Sequence, residues 1–111
     1  MIIAYFHRPF YSGSVADKIE MRDMYHPLFE KYNVDLVLAG HAHNYERSYP
    51  LNFNDARPAR PIIVDHGHSE YTGESGTIFT IVGTGGEYIQ CVDSKPYLAS
   101  IYEGFGCLMF K

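Results

Sequence analysis

Four short apolar runs along the chain predict β-strands. They cover residues 2–6, 34–39, 76–82 and 105–110, and each is followed by glycine or a polar residue. Short apolar runs with such boundaries are typical of strands buried in a sheet. We expect the last run to lie antiparallel to the run at 76–82, and we expect a shorter strand within residues 60–65.

Between the first two runs, apolar residues recur at the three- and four-residue spacing of an amphipathic helix. The stripe comprises Met21, Met24, Tyr25, Leu28, Phe29 and Tyr32. Pro27 interrupts it, which predicts a kink or a second helix beginning near Met24. His26 lies beside the stripe, and we expect it on the helix surface.

The order strand, helix, strand predicts an α/β fold that contains a βαβ unit with a right-handed crossover. The two strands of such a unit are parallel, so their carboxyl ends lie at the same edge of the sheet. His7 follows the first strand, and His41 and His43 follow the second. These three histidines can therefore reach one crevice although they are distant in the sequence.

Neutral imidazole is the commonest metal ligand in proteins, and open α/β sheets place their ligands at the carboxyl ends of strands. Gly40 directly precedes His41 and would allow the chain to bend sharply there. The spacing of His41 and His43 therefore indicates a metal site that also includes His7. The alternative is a pair of ordinary loop histidines.

Three further features leave alternatives open. His66 and His68 repeat the spacing of the first pair without a strong strand before them, and we expect them to be solvent-exposed. The glycine-rich turn at residues 83–86 could bind an anion through its amides or could be a flexible turn. Cys91 and Cys107 could form a disulfide or remain two free thiols.

Composition limits the partners that the chain could bind. The 111 residues suit one domain, 46% of them are hydrophobic, and the formal net charge is -4. A chain of this charge has no general attraction to nucleic acid or to an anionic membrane, so we expect neither as a partner. Metal ions could still supply the positive charge needed to bind a phosphate ester.

Together the segments resemble the carboxyl-terminal part of a calcineurin-like metallophosphoesterase, and within that group the purple acid phosphatases. The resemblance rests on the order and spacing of three blocks: His7-Arg8-Pro9 after the first strand, Gly40-His41-Ala42-His43-Asn44-Tyr45-Glu46-Arg47 after the second, and Gly83-Thr84-Gly85-Gly86 after the third. It implies part of an αββα sandwich, so that residues 1–111 would form the carboxyl-terminal portion of a domain whose amino-terminal half is absent.

The resemblance also implies a dinuclear metal centre, in which iron is paired with zinc, manganese or a second iron. His7 and His41 would bind one metal and His43 the other, and a phosphate monoester would be the substrate. Four neighbours are expected to contact substrate or to support the ligands. They are Arg8, Asn44, Tyr45 and Glu46, with Glu46 a candidate acceptor for a ligand N–H. For Arg8, the alternative is a surface ion pair.

The chain departs from the resemblance in what it lacks. The family's aspartate, asparagine and tyrosine ligands and its Gly-Asn-His-Glu/Asp motif have no counterpart in the sequence. We therefore expect the 111-residue chain to be inactive alone, and to pair with a second copy or with the missing half.

A non-catalytic remnant that binds metal or a partner is the rival hypothesis. A single-metal structural site built from the three histidines is a weaker one. The resemblance implies a secreted or vacuolar/lysosomal location.

Overall fold

A computed structural model describes residues 1–15, 18–68, 70–71 and 75–109 of the chain. Among these residues it contains one helix and seven strands. In chain order they are β1 (Ile3–Phe6), α1 (Ile19–Lys31), β2 (Leu36–Ala39), β3 (Tyr45–Ser48), β4 (Leu51–Asn52), β5 (Ile62–Ile63), β6 (Ile78–Val82) and β7 (Leu98–Tyr102). No helix in the described ranges has both the length and the apolar character that crossing a bilayer requires.

The main sheet has five strands in the order β1-β2-β6-β3-β7, and β4 pairs with β5 in a separate two-stranded sheet. Strands β1, β2 and β6 run parallel, with Phe6 opposite Ala39 at the end of the first pair. Strand β3 runs antiparallel to both β6 and β7. The predicted α/β fold, with a βαβ unit followed by antiparallel strands, is confirmed.

The last strand was predicted in the wrong place. The described part of the run at 105–110 forms no strand, and Phe110 lies outside the described residues. The strand is instead Leu98–Tyr102, which lies outside all of the apolar runs that predict strands. It pairs with β3 rather than with β6, because β3 already occupies the antiparallel edge of β6.

Helix α1 packs on the sheet with a face that differs from the predicted stripe. Phe29 is buried and Tyr25 packs against the core, as expected, but Met24 and Leu28 are exposed. The helix continues through Pro27 without a break. Its buried face is instead centred on polar residues, because Arg22 is 4% exposed and His26 is completely buried.

The surface position expected for His26 is therefore wrong. Its Nε2–H donates to the carbonyl oxygen of Leu51 at 3.2 Å, and its Nδ1 accepts from the hydroxyl of Tyr11 at 2.8 Å. The ring packs edge-on against Phe79 of β6, with centroids 4.8 Å apart. Burial is possible because both ring nitrogens have partners inside the fold.

The core lies between α1 and one face of the sheet. It is formed by Phe10, Tyr11, Phe29, Val34, Val37, Leu51, Phe79 and Tyr97. Ala4 and Phe6 of β1 pack against this core, whereas Ile3 and Tyr5 alternate with them and are exposed. We call the side of β1, β2 and β6 that carries Ile3 and Tyr5 the second face. Because β1 and β2 pack on this core, it holds in position the strand ends that His7 and His41 follow.

Candidate metal centre

The carboxyl ends of β1 and β2 bring two of the candidate histidines together. His7 follows β1 and His41 follows β2 after Gly40, whose amide donates to the carbonyl oxygen of His7 at 3.1 Å. The Nε2 atom of His7 lies 3.3 Å from the Nδ1 atom of His41. His7 is exposed and His41 half-buried, so solvent or a ligand can reach the pair.

The bend that presents His41 is made by His41 itself. Its φ angle is 65°, in the left-handed region that non-glycine residues rarely adopt. The amide of Ala42 donates to the carbonyl oxygen of Gly40 at 2.8 Å and closes the turn. The sequence had assigned the bend to Gly40, which has no positive φ. Strained backbone of this kind occurs at ligand sites when the surrounding structure holds it in place.

His43 takes a different direction from the pair. Its Nδ1–H donates to the carbonyl oxygen of Tyr88 at 3.1 Å, which leaves Nε2 as the atom able to bind a metal. Its backbone is held by two hydrogen bonds with Gln90. The side-chain Oε1 of Gln90 accepts from the backbone amide of His43 at 2.8 Å, and the backbone amide of Gln90 donates to the carbonyl oxygen of His43 at 3.0 Å. A metal-binding histidine commonly donates its second ring N–H to a carbonyl in this way.

The three imidazoles do not form one cluster. Among the described residues, no group of three or more histidine, cysteine, aspartate or glutamate side chains is arranged to hold a metal ion together. His7 and His41 meet, whereas His43 is engaged with Tyr88. The assignment of all three as ligands therefore stays a prediction.

The electrostatic surroundings favour neutral imidazole at His41. Desolvation lowers the pKa of His41 below its usual value of 6.5, and the positive charge of Arg8 lowers it further. Smaller contributions in the same direction come from His7, His43 and Lys18. Neutral imidazole is the form that binds metal. Arg8 is exposed and makes no ion pair with a carboxylate in the described part of the chain, so the expected alternative of a surface ion pair is not observed.

Glu46 supports the loop after β1 and not a histidine. Its carboxylate is almost fully buried and accepts from the hydroxyls of Ser12 and Ser14, at 2.9 Å and 2.8 Å, and from the amide of Gly13 at 2.7 Å. The acceptor role that the sequence suggested for Glu46 toward a ligand N–H is therefore not the one the structure shows. Its buried negative charge is satisfied by three donors.

Asn44 joins this loop to the segment that holds His43. Its Nδ2 group donates to the Ser14 hydroxyl at 2.9 Å and to the Gln90 carbonyl oxygen at 3.3 Å, while its Oδ1 atom is buried without a hydrogen-bond partner in the described residues. Sequence reasoning missed Ser12, Ser14 and Gln90. The sequence carried no apolar signal for this packing, because the buried positions of the segment include the polar residues Asn44, Glu46 and Ser48.

The other candidates lie apart from the histidine pair. Tyr45 is half-buried and borders a cavity with Val82 on the second face. His66 and His68 are exposed, as expected, and both rings contact Tyr49. Cys91 and Cys107 are exposed free thiols, so the disulfide alternative is not realised.

Comparisons with known proteins point to one group. No family model matches the chain. It is 40% identical over 88 residues to "Fe(3+)-Zn(2+) purple acid phosphatase 12" of Arabidopsis thaliana, which covers 77% of the chain and 18% of the relative. It is 33% identical over 85 residues to "Probable inactive purple acid phosphatase 27" of the same plant, which covers 76% of the chain and 13% of the relative.

A solved purple acid phosphatase from yellow lupin seeds matches 94% of the chain with a TM-score of 0.79 and 25% sequence identity. The chain is similar in sequence and in fold to purple acid phosphatases. The resemblance predicted from the sequence is thereby confirmed. The purple acid phosphatase-like chain spans less than a fifth of each of these relatives, since the largest share is 19%.

The nitrogen atoms of His7 and His41 fit a shared metal ion. Two nitrogens bound at about 2.0–2.1 Å to one tetrahedral ion lie about 3.3–3.4 Å apart. The observed separation of 3.3 Å between His7 Nε2 and His41 Nδ1 has this value. The remaining coordination positions would need donors from outside the pair.

Proposed function

We propose that this chain is the metal-ligand-bearing part of a dinuclear-metal acid phosphatase that hydrolyses phosphate monoesters. The observation that carries the proposal is the pairing of His7 and His41 at the ends of adjacent parallel strands, with nitrogen atoms 3.3 Å apart, a separation that suits one shared ion as well as a hydrogen bond between the two rings. Similarity to purple acid phosphatases supports it at the level of the family.

In the proposed site, His7 Nε2 and His41 Nδ1 would hold one metal, and His43 Nε2 would bind the other. The metals would be iron paired with zinc, manganese or iron, which suit imidazole and carboxylate ligands. When bound, such a pair of ions binds phosphate oxygens and lowers the pKa of water. Arg8 would provide a positive charge near His41 for a phosphate group.

We propose that the 111-residue chain alone does not hydrolyse phosphate esters. Three imidazoles cannot fill the coordination shells of two ions, and the described residues offer no cluster of three donors. In this proposal the missing ligands come from chain outside these residues. The purified chain, supplied with iron and zinc, should release no more nitrophenol from p-nitrophenyl phosphate than the free metals do. Turnover above that background would contradict the proposal.

Metal binding by the chain tests the role of the histidine pair directly. Titration with Co²⁺ should produce visible absorption bands of a histidine-bound ion, and His7→Ala or His41→Ala should weaken binding by about tenfold or more. His66→Ala and His68→Ala are matched controls, because they remove exposed histidines of the same spacing elsewhere, and they should leave the affinity unchanged. Equal affinity in His7→Ala and the unaltered chain would refute the assignment.

The second candidate function is a non-catalytic module that binds metal or a partner. It is favoured by the similarity to a relative whose name calls it probably inactive, and by the exposed apolar residues of the second face. Either a second copy or a missing amino-terminal half would cover that face. A secreted or vacuolar/lysosomal location is proposed from the resemblance alone. Sequence upstream of Met1 that contained the family's aspartate and Gly-Asn-His motifs would favour the enzyme over this module.

A further inference from the structure

A cavity of about 850 Å³ lies apart from the histidines, and none of the three lines it. Three segments form its walls. Ser12 and Val15 come from the loop after β1, residues 59–61 and Ile63 come from the segment that ends in β5, and residues 95–97 precede β7. Pockets for small organic ligands have volumes of about 300–1,000 Å³. The cavity therefore has the size of a ligand site, and neither the candidate metal centre nor its proposed function accounts for it.

The cavity has a fixed aromatic and aliphatic wall. Ile63, Pro61 and Pro96 contribute apolar surface, and Tyr97 is only 7% exposed. The hydroxyl of Tyr97 donates to the carbonyl oxygen of Ser12 at 3.1 Å, which fixes the orientation of the ring. The two proline rings are rigid. A flat apolar group could therefore enter without reordering the wall.

Two cations complete the lining, and their backbones are anchored. The amide of Arg60 donates to the Arg57 carbonyl oxygen at 2.8 Å, and the Asn54 side chain donates to the Arg60 carbonyl oxygen at 2.8 Å. The carbonyl oxygen of Lys95 accepts from the Leu98 amide at 3.0 Å. In the part of the chain that the structure describes, neither the Arg60 guanidinium nor the Lys95 ammonium has an ion-pair partner.

The charge at this cavity is opposite to that of the whole chain. The chain carries a formal net charge of -4, yet among the described residues those in the cavity lining that are charged are Arg60 and Lys95. Two unpaired cations beside an apolar wall form a complementary site for a molecule that is apolar at one end and anionic at the other. We propose that this cavity binds a small aromatic oxyanion, with its ring against Tyr97 and its charged end at Arg60 and Lys95.

Binding of 2-naphthoate to the ¹⁵N-labelled chain, followed by NMR in the presence of EDTA, tests the proposal. Shift changes should concentrate at residues 59–63 and 95–97 and saturate with one dissociation constant. The Arg60→Gln/Lys95→Gln double variant should weaken binding by about tenfold or more, because both charge-assisted contacts are lost. The uncharged analogue 2-naphthylmethanol should bind as weakly to the unaltered chain as 2-naphthoate does to that variant.

Arg57→Gln is the matched control, because Arg57 is an exposed cation on the same turn that does not line the cavity. It should leave the affinity for 2-naphthoate unchanged. If Arg57→Gln weakened 2-naphthoate binding as much as the double variant does, the effect would come from general surface charge, which would overturn the proposal. Equal binding of the neutral analogue, or shift changes centred on the second face, would overturn it as well. None of these outcomes depends on the metal-site proposal, since no metal is present.

Discussion

His26 is a neutral imidazole held in the core by two hydrogen bonds. The pKa of His26 is lowered to about 4, chiefly by burial; the hydrogen bond with Leu51 opposes the shift, and the charge of Arg22 adds to it. The carboxylate of Glu30 lies 3.9 Å from Nε2, at the i+4 position of the same helix. The Leu51 carbonyl oxygen can only accept, so Nε2 carries the proton and Nδ1 accepts from Tyr11.

A depressed histidine pKa makes the folded chain sensitive to acid. Above pH 6.5, His26 is neutral in both folded and unfolded states and its contribution is complete. As the pH falls from 6.5 toward 4, the unfolded state takes up a proton that the folded state refuses, so the stability decreases by about 3 kcal/mol. Urea unfolding between pH 7 and pH 4, in EDTA, should show this loss.

The variant His26→Gln isolates that effect, because an amide keeps a donor and an acceptor but does not titrate in this range. Its stability should fall less steeply with acid than that of the unaltered chain. His66→Gln removes an exposed histidine and should retain the original pH dependence. Parallel curves for the His26→Gln variant and the unaltered chain would show that His26 does not cause the acid sensitivity.

Among the contacts between elements, the residue that follows β6 packs closely against the backbone of the segment that contains His43. A methyl group added at Gly83 would overlap the carbonyl oxygen of Ala42 and come within 3.2 Å of the His43 α-carbon. The Gly83 amide also donates to the Asn44 carbonyl oxygen at 3.0 Å. Gly83 therefore permits close backbone approach, while added atoms at Gly85 would meet nothing within 4 Å. At its first residue, the glycine-rich turn at residues 83–86 therefore makes a close packing contact with the segment that contains His43.

We expect Gly83→Ala to destabilise the chain by about 3 kcal/mol, because backbone atoms must move apart to admit the methyl group. Since the displaced segment contains His43, metal binding should weaken in the same variant. Gly85→Ala is the control and should change stability by less than about 1 kcal/mol. Thermal unfolding by circular dichroism measures both variants. Equal melting temperatures for the two would contradict the close approach described here.

The βαβ unit could be predicted because its signals are local. Apolar runs mark β1 and β2, the helical spacing lies between them, and the parallel arrangement of the two strands in such a unit brings their carboxyl ends to one edge. The juxtaposition of His7 and His41 followed from this topology alone. Neither the separation of their nitrogen atoms nor the left-handed backbone of His41 could be predicted, because both depend on contacts between the two strand ends.

Elements that depend on distant partners were predicted less well. The burial of His26 requires Tyr11 and Leu51, which lie 15 and 25 positions away. Strand Leu98–Tyr102 contains Ser100 at its centre, so its apolar run is broken, and its pairing with β3 joins segments about 50 residues apart. An apolar pattern also fails to predict the buried face of a helix where polar residues are buried with partners, as Arg22 is on α1.

For the whole molecule, the second face of the sheet is the feature that the described residues leave without a complete cover. Tyr5 is 83% exposed there and Ile3 is 44% exposed, on the edge strand β1. Residues 106–108 border the cavities on this face together with Val82, so they shield the part near β6. Exposed apolar area beside an unpaired strand edge favours association with another surface.

We expect the isolated chain to self-associate through this face. Burying the Tyr5 side chain contributes about 2 kcal/mol, so replacing it should weaken association by about 30-fold. In sedimentation velocity, the weight-average mass of the unaltered chain should rise with concentration, and Tyr5→Lys should shift that rise to higher concentrations. Met24→Lys is the control, because Met24 is 61% exposed on α1, away from the sheet's second face. A monomer at all concentrations would contradict the copy-to-copy pairing and leave the missing half as the proposed cover. Equal effects of the two lysine variants would place the association elsewhere, because both changes add the same charge.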